Sequence, residues 1–467
     1  MKTDDVLVKM VEYAFFNDVV CINDFLDYYQ PEKREVGRKR YETYIDNFVE
    51  KHLRPFIAET DNPLNGKFQI KSYRGNDGKG TPRMAELKKG AERDQENKQE
   101  IDFSNAIQKY YLVGENVEIR FITNLYDFLS GLQKKQKDRA LEQIAEYEKT
   151  RNKTNLSPFR NTAEMEYTRE VIFAHFQKEL KNYYYRGQDS VNYKLLPRIY
   201  RESILGHEAD MFDEWITGRP EEISDCRRHI DALRVMHQRG LATRLLDITS
   251  NPLAGLYYAV SQNDDYDGEL IIFEVDSENQ KGRFSDAVEI VSALATQSMK
   301  QKDELSKAGA TYHKKRNALK DKTADEGPKA EFNGQKVTKK LIHEVRRMVG
   351  DFEPIIDPAD LFKSFVIKPF RDEERKVRQG DSFILSGLEA DGKNSPNLKY
   401  KGIADSIGAF RLSSEDGLLA EGKISRYVVP SIYKNEIRIN LSVMGINEQY
   451  LFPESQSFSD YMKRQYL

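Results

Sequence analysis

Two stretches of the chain decide its fold: YYYRGQ at residues 183–188 and GLATRLLDITSNPLAGLYYA at residues 240–259. The first places three aromatic residues before Arg186-Gly187, a pattern typical of a buried strand that ends in a sharp turn. Glycine at this turn lets the backbone approach a ligand closely. An arginine held on a strand is suited to grip phosphate or carboxylate with two parallel hydrogen bonds. A structural ion pair is the other interpretation of Arg186.

The second stretch predicts a helix end, a short extended segment and a new helix. Gly240 is suited to end the helix before it. Ser250 or Asn251 can cap an apolar helix over 253–260, with Pro252 in its first turn. Strand and helix signals therefore alternate in this part of the chain.

Further strand signals lie at 269–275, 365–367, 383–385 and 425–429. Apolar residues at helical spacing occupy most of the first 60 residues. We predict an α+β fold: an all-helical N-terminal region at 1–115, compatible with a winged-helix-like module, then a mixed-sheet domain at 116–467. The sheet domain is expected to carry charged helical insertions at about 133–175 and 276–350, either solvated or mobile.

The composition limits the classes of function. The chain has 467 residues, 39% hydrophobic and 32% charged, with a formal net charge of −3. It therefore has no global basic field that would attract nucleic acid or anionic membrane. No apolar run reaches membrane-span length, and the first residues are acidic, so we expect a cytoplasmic protein without membrane contact. Cys21 and Cys226 have no metal-ligand spacing and are expected to be free, buried thiols, with no bound metal.

Two more arginines lie near these stretches. Arg198 and Arg244 could add phosphate contacts to those of Arg186, or could form structural ion pairs with nearby acids. Asp247, three residues after Arg244, could brace that arginine or a neighbouring backbone group. The residues alone leave these alternatives open.

The order of these motifs resembles the FRG domain, named for its Phe/Tyr-Arg-Gly signature. The resemblance rests on four ordered motifs: Tyr-Arg-Gly-Gln at 185–188, Leu-Leu-Pro-x-x-x-Arg at 195–201, Gly-Leu-x-Thr-Arg-Leu-Leu-Asp-x-Thr-x-Asn-Pro-Leu at 240–253, and Leu-Tyr-Tyr-Ala at 256–259. Weaker similarity extends from 122–129 to 451–453. Gln238 fills the position where family members often carry a histidine, so the role of His237 stays open.

The resemblance implies a bacterial antiphage (antiviral) defence role or a toxin-like role. The Tyr-Arg-Gly strand is also similar to the first motif of the ADP-ribosyltransferases, which implies NAD as the ligand and an NAD-consuming transferase or glycohydrolase as the activity. Arg186 would anchor the diphosphate with help from Arg244, and Thr243, Gln379 or Asp381 would act near the ribose. The residues expected to line the ligand site are Tyr185, Arg186, Gly187, Gln188, Arg198, His237, Gln238, Tyr257 and Tyr258.

Two other classes of function stay open. A non-catalytic sensor would capture a nucleotide or phosphate with the same arginines and transmit occupancy through the N-terminal region to a regulatory partner. A nucleic-acid-directed protein would use the Lys-rich stretch 314–340, although the neutral overall charge and the many interspersed acids favour a solvated helical insertion for that stretch. The target that an enzyme would modify is a macromolecule that the sequence does not identify.

Overall fold

The computed structural model describes residues 2–73, 84–86, 109–138, 183–368, 374–388 and 424–454, with short interruptions inside these ranges, and residues 459, 462 and 463. Most of the predicted insertion at 133–175 lies outside these residues. The insertion at 276–350 lies almost entirely within them.

The described residues form twelve strands in two sheets. The strands are β1 Val19–Cys21, β2 Phe68–Tyr73, β3 Met84–Glu86, β4 Lys109–Gly114, β5 Ile119–Phe121, β6 Tyr183–Gln188, β7 Leu245–Thr249, β8 Gly268–Glu274, β9 Gln280–Lys281, β10 Ser364–Ile367, β11 Asp381–Ser386 and β12 Ile424–Val429.

The larger sheet has eight strands in the order β5-β12-β8-β6-β7-β11-β10-β9. The β5–β12 and β9–β10 pairs are parallel, and the other neighbours are antiparallel. The YYYRGQ stretch is β6, near the centre of the order. The predicted α+β class with a mixed sheet is therefore confirmed, and so are the predicted strands at 269–275, 365–367, 383–385 and 425–429.

Helices surround the two sheets. Residues 125–135 are helical, and the other α-helices are Thr3–Asn17, Ile22–Tyr29, Arg38–Phe48, Arg54–Ile57, Glu208–Gly218, Pro220–Ile223, His229–Gln238, Pro252–Val260, Asp286–Ser292, Met299–Asn317, Glu326–Gly334, Lys336–Met348, Glu374–Gln379, Ser431–Val443 and Glu448–Leu451. The helix before Gly240 ends as predicted, since Gly240 has a φ of +91°. Asn251 caps the helix Pro252–Val260 by accepting from the N–H groups of Leu253 and Ala254.

The N-terminal region contains a sheet as well as the predicted helices. Its four strands follow the order β1-β4-β2-β3, and every neighbouring pair is antiparallel. The description of this region as all-helical was therefore wrong. β1 has only three residues, with one residue between it and the preceding helix and none before the next helix, so its apolar residues show no strand period of their own. A winged-helix-like arrangement stays a prediction.

The N-terminal region packs directly on the larger sheet. One apolar cluster joins Val6, Phe25 and Phe48 to Tyr184 of β6 and Ile248 of β7. A buried polar contact adds to this packing, because Lys109 Nζ lies 3.0 Å from Asp24 and 2.6 Å from Asp267. Cys21 is buried next to this contact, whereas Cys226 is only half-buried, and both are free thiols.

The insertion at 276–350 is part of the core. Leu305, Leu341 and Val345 are fully buried in a cluster with Phe365 and Leu385 of the larger sheet. The prediction of solvated or mobile helices is therefore wrong for this insertion. The insertion is rich in charged residues overall, but its helices carry apolar residues on one face, and that face is buried.

Candidate functional site

The larger sheet separates between β6 and β7. β6 pairs with β8 along all six of its residues, and β7 pairs with β11 along five. Between β6 and β7 the only ladder pair is Tyr185 with Thr249. Beyond that pair the two strands diverge, which leaves backbone groups at the centre of the sheet without a ladder partner. We call the space at this point the cleft. Four residues form it: Arg186, Asp247, His237 and Tyr258.

Arg186 lies at the opening between the two strands. Its Nη1 donates to the backbone oxygen of Asp247 at 2.7 Å, and its Nε donates to Gln188 Oε1 at 3.3 Å. Guanidinium has five N–H donors, so three have no protein partner among the described residues. Burial lowers the pKa of Arg186, and the nearby Asp247 carboxylate partly offsets this effect. Arg186 is partly buried and forms no ion pair in the described part of the chain. Its guanidinium is therefore available to bind an anion.

Gly187 permits a close crossing between β6 and the helix Pro252–Val260. A Cβ at this position would lie 1.9 Å from the Gly255 oxygen and 2.6 Å from the Ala259 nitrogen. Gly255 has the reciprocal role, since its Cβ would lie 2.8 Å from Tyr185 Cβ. The close backbone approach expected at Gly187 is therefore made to this helix. The crossing sets the position of Tyr258 above β6.

Asp247, His237 and Thr243 form a hydrogen-bonded chain. His237 Nε2 lies 2.8 Å from Asp247 Oδ1, and His237 Nδ1 lies 2.9 Å from Thr243 Oγ1. Because a carboxylate only accepts, Nε2 carries a proton. The imidazole packs edge-on against Phe383 and is 15% exposed. His237 therefore holds Asp247 in one orientation.

Asp247 is an exposed carboxylate in the cleft. Protein atoms pack around part of the carboxylate, and His237 and Arg186 lie nearby, yet 65% of its side chain is accessible. Burial raises the pKa of Asp247, but the charge and hydrogen bond of His237, together with the charge of Arg186, outweigh this effect and bring it to about 2. The carboxylate is therefore ionised at neutral pH and can stabilise positive charge on a ligand.

Replacing Asp247 with asparagine is expected to destabilise the protein at pH 7 by at most about 1 kcal/mol, because solvent screens an exposed pair. The folded-state pKa of about 2 lies below the unfolded value of about 3.9. The advantage of the wild type should thus be full above about pH 4 and decline as the pH falls towards 2. Urea unfolding of both proteins from pH 7 to pH 3 checks this, and a difference that grows towards low pH would contradict it.

The two adjacent tyrosines predicted to line the ligand site, Tyr257 and Tyr258, differ in exposure. Tyr257 is buried, whereas Tyr258 is partly exposed and packs edge-on against Phe452 at a centroid distance of 6.2 Å. Burial raises the pKa of Tyr258 most, and the Asp381 and Asp247 charges raise it further. The side chains of Asp381 and Tyr258 are thus near the same part of the cleft.

Arg244 does not reach the cleft. It is 1% exposed, its Nε donates to Glu208 Oε1 at 2.8 Å and its Nη1 donates to the Ser386 oxygen at 2.9 Å. Glu208 also accepts from the buried Lys302 at 2.7 Å. Arg244 thus belongs to a buried ion network, and Asp247 braces His237 instead. The structure gives no support to Arg244 as a second ligand anchor.

The side chain of Gln379 also makes its contacts outside the cleft. It ends the helix Glu374–Gln379, and its buried Nε2 donates to the Leu451 oxygen at 2.7 Å. Gly380 follows with a φ of +65°, so Gln379 and Asp381 do not share the face of one strand. Of this predicted pair, only Asp381 lies near the cleft.

The remaining predicted site residues lie around its edge. Gln188 is buried and links Arg186 to the Tyr193 oxygen. Thr243 is buried behind His237. Arg198 and Gln238 are exposed, and Arg198 donates to the Gly240 oxygen at 3.0 Å. His237, which lies one residue before the position of the family histidine, therefore reaches the cleft, whereas Gln238, at that position, faces solvent.

Sequence reasoning missed Asp247 as a site residue and treated it as a structural brace. The available signal was its position two residues into an apolar strand, at which a carboxylate needs a partner. The partner, His237, lies ten residues earlier on a different element, and nothing in the local sequence indicates that pairing.

Comparison with known families identifies the segment of the chain that contains the cleft. A family model described as the FRG domain matches residues 181–268. The chain contains an FRG domain. The matched segment begins just before β6, includes β7 and the helix Pro252–Val260, and ends where β8 begins. Every residue used above to define the cleft therefore lies within the FRG match.

Other comparisons add no relative. Neither the curated proteins nor the solved structures include a match to the chain. Among the residues that the structure describes, no helix has the length and apolar character needed to cross a membrane.

Proposed function

We propose that the FRG domain is an NAD-consuming enzyme of the ADP-ribosyltransferase or NAD glycohydrolase type, with the dinucleotide bound in the cleft. The observation that carries the proposal is a cation and an anion side by side in the cleft, each able to contact a ligand. Arg186 has three N–H donors without a protein partner in the described chain, and Asp247 offers an accessible carboxylate beside it. A diphosphate needs the first group, and a ribose that gains positive charge needs the second.

Each residue of the cleft then has a defined role. Arg186 anchors the diphosphate, and Gln188 holds its Nε so that the guanidinium keeps one orientation. Asp247 stabilises positive charge near the ribose, and His237 fixes that carboxylate. Tyr258 offers a partly exposed ring for the nicotinamide. NAD itself supplies the activated nicotinamide–ribose bond that such an enzyme breaks.

Asp247 supplies a carboxylate near the ribose, a role for which the sequence offered Gln379 or Asp381. Gln379 cannot stabilise positive charge as a carboxylate does, and its side chain is bonded to Leu451. Asp247 is ionised and fixed by its neighbour, which is the preorganisation that electrostatic catalysis requires. The proposed cytoplasmic role in antiphage defence or as a toxin, acting on a macromolecular target, rests on the family resemblance alone.

A second candidate is a ligand sensor without turnover. The observation in its favour is the continuous apolar cluster behind the cleft, which joins Tyr184 and Ile248 to Val6, Phe25 and Phe48 of the N-terminal region. A ligand that moves β6 or β7 would change this packing and so affect the N-terminal region.

The test is incubation of the purified full-length chain with labelled NAD, alone and with cell lysate that contains nucleic acid. We expect nicotinamide release or label transfer, and a decrease of at least about 100-fold in Arg186→Ala and in Asp247→Asn, since each removes a charge that acts on the transition state. Arg219→Ala is the matched control, because Arg219 is exposed and lies outside the cleft.

No release under any condition would refute the enzyme proposal. Binding of NAD or ADP-ribose, measured by calorimetry and lost in Arg186→Ala, would then support the sensor. Absence of both turnover and binding would refute both candidates.

A further inference from the structure

A cavity lies in the insertion at 276–350, outside the FRG match. Its volume is about 650 Å³, within the range of small-molecule sites. Its lining combines Thr296, Gln297 and Gln301 with Gly334 and with residues of the helix Lys336–Met348 from Lys336 to Glu344, His343 among them. None of the residues that line it belongs to the cleft between β6 and β7.

Three lysines make one wall of this cavity cationic. Lys336, Lys339 and Lys340 all line it and are exposed. None of the three forms an ion pair with any residue that the structure describes. The acidic lining residue, Glu344, is engaged with Arg347 at 3.0 Å. The wall therefore carries about three uncompensated positive charges.

The helix start adds to this positive potential. The helix Lys336–Met348 has 13 residues, and its N-cap residue Gln335 makes no side-chain capping bond. The N–H groups of a first turn lack partners inside the helix and carry the positive end of its dipole. Gly334 and Lys336 line the cavity on either side of this N-cap. Phosphate groups bind well at such a position.

Gln297 supplies an independent indication of a ligand. It lines the cavity and is 2% exposed. Its Nε2 donates to Thr296 Oγ1 at 3.0 Å, but its Oε1 is buried without a hydrogen-bond partner among the described residues. A buried acceptor without a partner destabilises the folded state. Because Oε1 is itself buried, a rotation of the side-chain amide must bring it to the cavity surface before a hydroxyl or amino donor of a ligand can satisfy it.

We propose that this cavity binds a small phosphorylated ligand of the nucleotide class. Its phosphates contact Lys336, Lys339, Lys340 and the helix start, and a hydroxyl or amino group donates to Gln297. A small ligand fits better than a nucleic acid strand, because the three lysines line one cavity on a chain of net charge −3.

Calorimetry with ATP, inorganic tripolyphosphate and a single-stranded RNA oligonucleotide tests the proposal. The full-length chain should carry Arg186→Ala, so that any binding in the cleft is removed. We expect ATP and tripolyphosphate to bind, and both to weaken at least tenfold in the triple variant Lys336→Gln, Lys339→Gln, Lys340→Gln. The matched control is Lys307→Gln, Lys314→Gln, Lys320→Gln, which removes the same charge from exposed positions of the same insertion and should bind as before.

Gln297→Leu tests the contact with the hydroxyl or amino group of the ligand separately from the phosphate contacts. It should weaken ATP several-fold and leave tripolyphosphate unchanged, because only ATP has a donor for Oε1. Circular dichroism confirms that each variant is folded. The proposal is overturned if neither small ligand binds, if the two lysine variants weaken binding equally, or if only RNA binds. Equal effects of Gln297→Leu on both ligands would overturn the role of Gln297.

Discussion

Gly187→Ala is expected to destabilise the protein by about 3 kcal/mol or more, or to prevent folding. The added Cβ would lie 1.9 Å from the Gly255 oxygen and 2.6 Å from the Ala259 nitrogen. Both atoms belong to the backbone of one helix, so no side-chain rotation can remove the overlap. The helix would have to move away from β6, and overpacking of this kind costs about 1–3 kcal/mol even where the neighbours can adjust.

Gly282→Ala is the matched control, because a Cβ at Gly282 meets nothing within 4 Å. Its stability should stay within about 0.5 kcal/mol of the wild type. Urea or thermal unfolding measures both changes. A Gly187→Ala protein as stable as the wild type, but unable to bind ligand, would show that this glycine serves ligand approach and not helix packing.

Arg244→Ala is expected to destabilise the protein by about 3–5 kcal/mol, because removal of one partner leaves a buried charge without its main counterion. Glu208 would keep only its bond to Lys302 at 2.7 Å. The Ser386 oxygen would also lose its donor. The same unfolding measurements check this loss.

The exposed Arg219→Ala variant should be nearly as stable as the wild type. Ligand binding separates the two interpretations of Arg244. At a temperature where Arg244→Ala is folded, its affinity for a cleft ligand should be close to that of the wild type. A variant of normal stability with lost binding would restore Arg244 as an anchor.

Local patterns in the sequence were sufficient for the individual elements. The buried strand at the aromatic run, the helix end at Gly240 and the cap at Asn251 appear in the structure as predicted. The sharp turn expected at Arg186-Gly187 does not, because the strand continues through both residues to Gln188. Such features depend on backbone conformations that a few adjacent residues determine, such as positive φ at glycine and capping by asparagine. The order of the FRG motifs follows from the same kind of short-range information, whereas the strand pairing of the mixed sheet joins segments far apart in the chain. β1 was missed because three apolar residues between two helices carry no period of their own.

Only the tertiary structure decided which charges are available for chemistry. Arg186, Arg198 and Arg244 look alike in the sequence, yet Arg244 is enclosed with Glu208, Arg198 is exposed, and Arg186 faces the opening between β6 and β7. Asp247 lies three residues from Arg244 but pairs with His237, which stands on another element. The physical reason is that the free energy of a charged group depends on burial and on partners brought together by folding, and sequence spacing determines neither.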